Sequence, residues 1–109
     1  MATKSQTAAA FAHKLVASCH NAGTGAGIYL LHGYTIAKWE TPDYGDGREQ
    51  IVNLSWCGWH TPTSASHMND ILKAIGAPMR VSYARARDRG IEGYTVFIRD
   101  GKFIGHEEF

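Results

Sequence analysis

The densest run of potentially reactive residues is Trp56-Cys57-Gly58-Trp59-His60-Thr61-Pro62-Thr63-Ser64-Ala65-Ser66-His67. Cys57, His60 and His67 are residue types that bind zinc through sulfur and nitrogen. A structural zinc site takes four such ligands, and a catalytic one takes three plus water. Only three stand here, and their spacing matches no finger or ribbon. Cys57 with His60 could also serve as a thiol nucleophile and its base, but no third residue that would orient the base stands at a recognisable spacing. The plainer reading is a strand end that turns into a helix, with Trp56 in the core and Cys57 as a small buried filler. Thr61, Thr63, Ser64 and Ser66 place hydroxyls beside the free N–H groups of a helix start. That arrangement can hold an anion, and helix capping explains the same residues. No metal and no cofactor is expected.

Charge is unevenly spread. Between Lys73 and Lys102 stand seven basic residues (Lys73, Arg80, Arg85, Arg87, Arg89, Arg99, Lys102) against three acidic ones (Asp88, Glu92, Asp100). Arg85, Arg87 and Arg89 occupy every second position, so an extended chain shows them on one side. With Tyr83 and Tyr94 nearby, Arg80, Arg85, Arg87, Arg89 and Lys102 suit nucleic-acid phosphates and stacked bases. A charged strand edge that blocks sheet-to-sheet aggregation needs the same residues. The formal net charge is +1, so the whole-domain basicity of a nucleic-acid binder is missing. Glu40, Asp43, Asp46 and Glu49 make a separate segment acidic. Paired carboxylates there could act as a glycosidase pair or a cation site, but the spacing fits no calcium loop and a solvated loop accounts for them. Trp39, Tyr44 and Trp59 leave aromatic surface near that loop, as protein interfaces do.

These residues need elements to position them. At 109 residues the chain suits one domain, spanning 1–109. Hydrophobic residues at 44% and charged residues at 19% exclude a disordered composition. Ala8, Phe11, Ala12, Leu15, Val16 and Cys19 recur at three- and four-residue intervals, which predicts a first helix, ended by Asn21-Ala22-Gly23. The run Gly23-Thr24-Gly25-Ala26-Gly27 could cradle phosphate if it led into a helix. It leads into the strand-like Ile28-Tyr29-Leu30-Leu31, so it reads as a connector.

Strands are expected over 28–32, 34–41 and 50–56. In the second, Thr35, Ala37 and Trp39 face one side and Tyr34, Ile36 and Lys38 the other. In the third, Val52, Leu54 and Trp56 share a face. Thr61 caps a second helix with Pro62 at its first position, and Met68, Ile71, Leu72 and Ile75 form its apolar stripe. Met79, Val81 and Tyr83 alternate as a further strand. Asp100-Gly101 then joins two last strands in a hairpin. The expectation is an α+β fold in the order α-β-β-β-α-β-β-β, with two helices on an antiparallel sheet of about five to six strands.

The runs 31–39 (LHGYTIAKW), 51–64 (IVNLSWCGWHTPTS) and 68–72 (MNDIL) resemble a pattern in small uncharacterised accessory proteins of tailed bacteriophages. Its marks are a Gly-x-x-Ile-Ala strand and a later Gly-Trp-x-Thr-Pro-Thr segment. Met68-Asn69 stands where that pattern has Leu-Asn. The resemblance covers about residues 27–75 and names no reaction. It implies a phage origin and no catalytic residues. It further implies a non-enzymatic protein that binds, and inhibits, a host protein. Nucleic-acid binding through the 80–102 segment is the alternative. Two thiols, Cys19 and Cys57, suggest reduced cysteines. No signal-like or membrane-spanning run stands out, so the bacterial host cytoplasm is the expected compartment.

Overall fold

The computed structural model describes residues 2–43 and 47–109. The elements are α1 (Lys4–Ala12), β1 (Ala17–Cys19), β2 (Ala22–Gly25), β3 (Ile28–Leu31), β4 (Tyr34–Glu40), β5 (Glu49–Ser55), α2 (Pro62–Ala74), α3 (Tyr83–Arg89), β6 (Gly93–Arg99) and β7 (Lys102–Glu108). The seven strands form one antiparallel meander in chain order. The α+β class and the helix-covered antiparallel sheet are as the sequence predicts. The element count is not, because two strands and a third helix stand where other structure is expected.

The first difference is the early helix. It stops at Ala12 instead of running to Cys19. Lys14 takes a left-handed backbone (φ 57°), and Leu15 and Val16 are exposed. The next residues form β1 and β2, which pair through Ala17↔Thr24 and Cys19↔Ala22. The glycine-rich connector is therefore half strand and half turn. Ala26 and Gly27 both have positive φ (52° and 76°), as do His32 and Gly33 (51° and 82°) and Asp100 and Gly101 (51° and 76°). Paired left-handed residues match the right-handed twist of the strands they join. Such turns let successive strands lie side by side.

The second difference lies in β4. Tyr29 faces Ala37 while Leu30 faces Thr35, so Ile36 is an extra residue in a bulge. Ile36 and Ala37 are consequently both buried, and the simple alternation expected across 34–39 breaks at Ile36. In β5 the alternation holds, with Val52, Leu54 and Trp56 fully buried.

The third difference is the segment expected as a strand over 79–84. It is irregular up to Ser82, which caps α3 by accepting from the Arg85 N–H. Asn69 of α2 pins it, accepting from the Val81 N–H (2.7 Å) and donating to the Val81 carbonyl (3.1 Å). This clamp satisfies backbone groups that a strand partner would otherwise satisfy.

Helices α1 and α2 cover one face of the sheet. Thr7, Ala8 and Phe11 of α1, and Met68, Ile71 and Leu72 of α2, are buried with Tyr29, Leu31, Val52, Leu54, Val96 and Ile98 in one apolar cluster. Helix α2 starts as the sequence predicts. Thr61 accepts from the Ser64 N–H, and Pro62 opens the first turn. No helix among the described residues is long and apolar enough to cross a membrane.

Gly93 marks the tightest approach in the sheet. A Cβ there would stand 2.1 Å from the Leu54 carbonyl oxygen and 2.6 Å from the Phe109 ring. The backbone oxygen cannot swing aside as a side chain can. Gly93→Ala should therefore destabilise the fold by about 2–3 kcal/mol, as overpacking does, read as a lower urea midpoint. A midpoint equal to wild type would show that this contact is soft.

Candidate functional site

A turn builds the candidate site. After β5, Cys57 and Gly58 both take positive φ (53° and 80°), and the Trp59 N–H donates to the Trp56 carbonyl (2.8 Å). The reversal puts the two tryptophans in opposite environments. Trp56 is fully buried, and Trp59 is 56% exposed. Two residues later Thr61 caps α2. Across from this turn, the His32-Gly33 turn delivers Tyr34, which is 50% exposed. The Tyr34 and Trp59 rings lie 6.3 Å apart and are tilted by 49°.

Beside this pair opens a pocket of about 350 Å³. Trp56, Ile36 and Leu31 supply apolar walls. Tyr34 and Trp59 form the rim. Thr61, Thr63 and Ser64 bring hydroxyls from the start of α2, and His32 and Cys57 complete the lining. Among the described residues no Asp, Glu, Lys or Arg lines it. A concave, mostly apolar pocket with a few polar groups is the usual form of a binding site.

The chemistry weighed for Cys57, His60 and His67 does not assemble. The Cys57 thiol donates to the Thr35 carbonyl (3.1 Å). The His60 ring stacks on Trp56 (5.2 Å, 25°) and its Nε2–H donates to the Ile91 carbonyl (2.7 Å). His67 is buried elsewhere, with Nδ1 2.6 Å from the Tyr29 hydroxyl. Among the described residues no three His, Cys, Asp or Glu side chains gather as a metal site. Cys19 and Cys57 are free thiols. The hydroxyls at the start of α2 are partly engaged in capping, with Thr61 donating to the Ser64 hydroxyl (3.1 Å).

The expected binding residues separate into different places. Trp59 is at the pocket rim. Trp39 sits near the far end of β4, roughly 17 Å along the strand from Tyr34. It stacks on Phe11 (6.0 Å), its indole N–H donates to the Phe11 carbonyl (2.9 Å), and Lys14 lies over its ring (5.1 Å). Trp39 thus anchors the end of α1. Tyr44 and Asp46 lie outside the described residues.

Arg80 is exposed in the irregular segment. Arg85, Arg87 and Arg89 lie on a helix, where residues two apart point roughly 200° around the axis. The one-sided arginine row expected of a strand is therefore absent. Arg85 pairs with Glu108 (3.7 Å) and Arg87 with Asp88 (3.7 Å). Lys102 faces Arg99 at the opposite end of the β6–β7 hairpin from Tyr94 and Glu108, far from α3. The residues that sequence reasoning missed as site-forming are Leu31, His32, Tyr34 and Ile36. The available signal was His32-Gly33, a turn that brings Tyr34 back beside the Trp56–Trp59 reversal.

Compared with known proteins, the chain matches no family model, no curated protein and no solved structure.

A second polar feature is the buried Tyr29–His67 pair. Burial pushes the Tyr29 hydroxyl well above its ordinary range, so it stays protonated. Burial first, then Lys4, pushes the His67 imidazole below its ordinary value near 6.5, against an opposing pull from Asp70. Lys4 is itself held by Asp70 (2.6 Å) and by the Ser66 hydroxyl. A neutral His67 shares a hydrogen bond with the Tyr29 hydroxyl. The unfolded chain then binds a proton at a higher pH than the folded chain does. Stability should be full above pH 6.5 and fall as the pH drops through that value toward the lower folded pKa. His67→Gln should flatten this part of the profile relative to wild type, measured by urea unfolding from about pH 7.5 to 5. Parallel profiles would mean that His67 titrates normally.

Proposed function

We propose that the chain is a non-enzymatic binding protein whose partner inserts an apolar side chain into the pocket beneath Tyr34 and Trp59. The observation that carries this reading is the pocket itself, lined among the described residues by no Asp, Glu, Lys or Arg and rimmed by two exposed aromatic rings. Tyr and Trp are favoured at binding hot spots because each offers a large rigid surface with one polar handle. Cys57 and His60 direct their polar atoms to backbone carbonyls instead of to each other, which favours binding over nucleophilic chemistry.

The partner we propose is a bacterial host protein that the chain binds and inhibits in the host cytoplasm. Support comes from the likeness of residues 27–75 to phage accessory proteins. All ten residues that line the pocket fall within the runs that carry this likeness, four between Leu31 and Ile36 and six between Trp56 and Ser64. Nucleic-acid contact is the weaker alternative, since α3 divides its arginines between two sides.

Affinity capture from bacterial lysate tests the reading when run with wild type, Trp59→Ala and Arg87→Ala. A specific protein should be retained by wild type and by Arg87→Ala. Trp59→Ala should weaken its binding by about 30-fold or more, the scale of a hot-spot truncation, with the circular dichroism spectrum unchanged. Equal retention by Trp59→Ala, or loss with Arg87→Ala alone, would overturn the proposal.

A further inference from the structure

We infer that the group this pocket takes is a neutral aromatic ring with a hydrogen-bonding edge, the kind of group a tyrosine or tryptophan of the partner presents. The inference rests on the binding reading above and narrows it to one class of occupant.

Size sets the first limit. Ligand sites span roughly 300–1,000 Å³, so a pocket of about 350 Å³ suits one side-chain-sized group. Shape sets the second. The rim rings are tilted by 49° with centroids 6.3 Å apart, and Trp56 lines the interior. The two rings touch each other and Trp56 is fully buried, so an entering flat ring stacks on the exposed surface of Tyr34 and Trp59, and such offset contacts add to simple burial.

Charge sets the third limit. Aromatic walls alone would also suit a methylated ammonium group. However, among the described residues no carboxylate lines the pocket, and the positive end of the α2 dipole, at Thr61 and Pro62, lies beside it. Both features disfavour a cation. An anion would lose its hydration against walls that are mostly carbon, with no lysine or arginine to replace it. The polar edge comes from Thr63 at the mouth and from the Thr61–Ser64 hydroxyl pair. These hydroxyls can exchange hydrogen bonds with a phenol O–H or an indole N–H, which a purely aliphatic occupant would leave unused.

The protein carries its own tether for the test. Cys57 lines both the pocket and a neighbouring depression with His60 and Glu92, whereas Cys19 lines a separate depression with Lys4 and His67. The intact protein is equilibrated with hydroxyphenethyl, butyl, aminoethyl and carboxyethyl disulfides in the presence of mercaptoethanol. Each exchange forms a mixed disulfide and releases one thiol. Peptide mapping by mass spectrometry then separates Cys57 from Cys19.

The hydroxyphenethyl adduct at Cys57 should resist about tenfold more mercaptoethanol than either charged adduct. That ratio corresponds to removing roughly 60 Å² of apolar surface from water. It should also exceed the butyl adduct. Cys19 should show no such order, and Trp59→Ala should erase it at Cys57. If butyl matches hydroxyphenethyl, the aromatic preference is wrong while an apolar pocket stands. If the charged adducts are retained equally well, the pocket reading fails with it. Should Cys57 exchange with none of the probes, titration of the Trp59 indole N–H signal with p-cresol and with tetramethylammonium reads the same preference. A shift with the cation alone would overturn it, and so would silence with both.

Discussion

The burial of Trp56 is the constraint on which the rest of the site depends. Its side chain is fully enclosed, and backbone and ring together join several parts of the chain. The N–H donates to the Glu92 carbonyl, which fixes the approach to β6. The carbonyl accepts from Trp59, which closes the turn. The ring stacks on His60 and meets Tyr94 edge-on. An aromatic side chain of this size contributes several kcal/mol by leaving water, roughly 25 cal/mol per Å² buried. With Trp56 held inside, the left-handed Cys57-Gly58 pair must throw the next residue outward. Trp59 is exposed as a direct result.

Several parts of this fold are legible from residue order because local chemistry and burial agree there. In β5 every second residue is large and apolar, and the strand has no bulge, so period two survives into the structure. At α2 the capping threonine, the proline at the first position and the apolar stripe all specify the same start and face. Asp100-Gly101 favours the left-handed pair that its turn uses. Where such signals agree, tertiary context has nothing to override.

The misread parts each have a physical cause. Ala8, Phe11 and Ala12 do face the core, but Leu15 and Val16 continue the same spacing by coincidence, after the helix has ended at a left-handed Lys14. Ala26-Gly27 and His32-Gly33 make the same kind of turn as Asp100-Gly101 with a less typical first residue, so the first hairpins hide in what looks like a flexible run. Residues 79–84 alternate as a strand would, yet Asn69 satisfies the Val81 backbone and Ser82 caps a helix instead. Proximity in sequence also misleads about chemistry. Cys57, His60 and His67 fall within eleven residues, but a turn and a helix start separate their directions. Trp39 and Trp59 look alike in sequence, and only the fold assigns one to a helix anchor and the other to a rim.

Exposure alone would not single out the pocket. Leu15, Val16, Ile104 and Phe109 are also exposed apolar residues, and scattered apolar surface is ordinary in folded proteins. Leu15 and Val16 follow the end of α1, and Ile104 and Phe109 lie on or beside the edge strand β7. Of the large apolar side chains that stand exposed, Tyr34 and Trp59 are the pair whose rings pack on each other at the rim of a concavity. Their exposure is also imposed by backbone turns and does not follow from loose packing, since Trp56 beneath them is fully enclosed. A rigid base beneath two outward rings lowers the ordering cost that a flexible surface would meet on binding. That combination of fixed geometry, apolar lining and missing charge is what separates a recognition surface from incidental exposure.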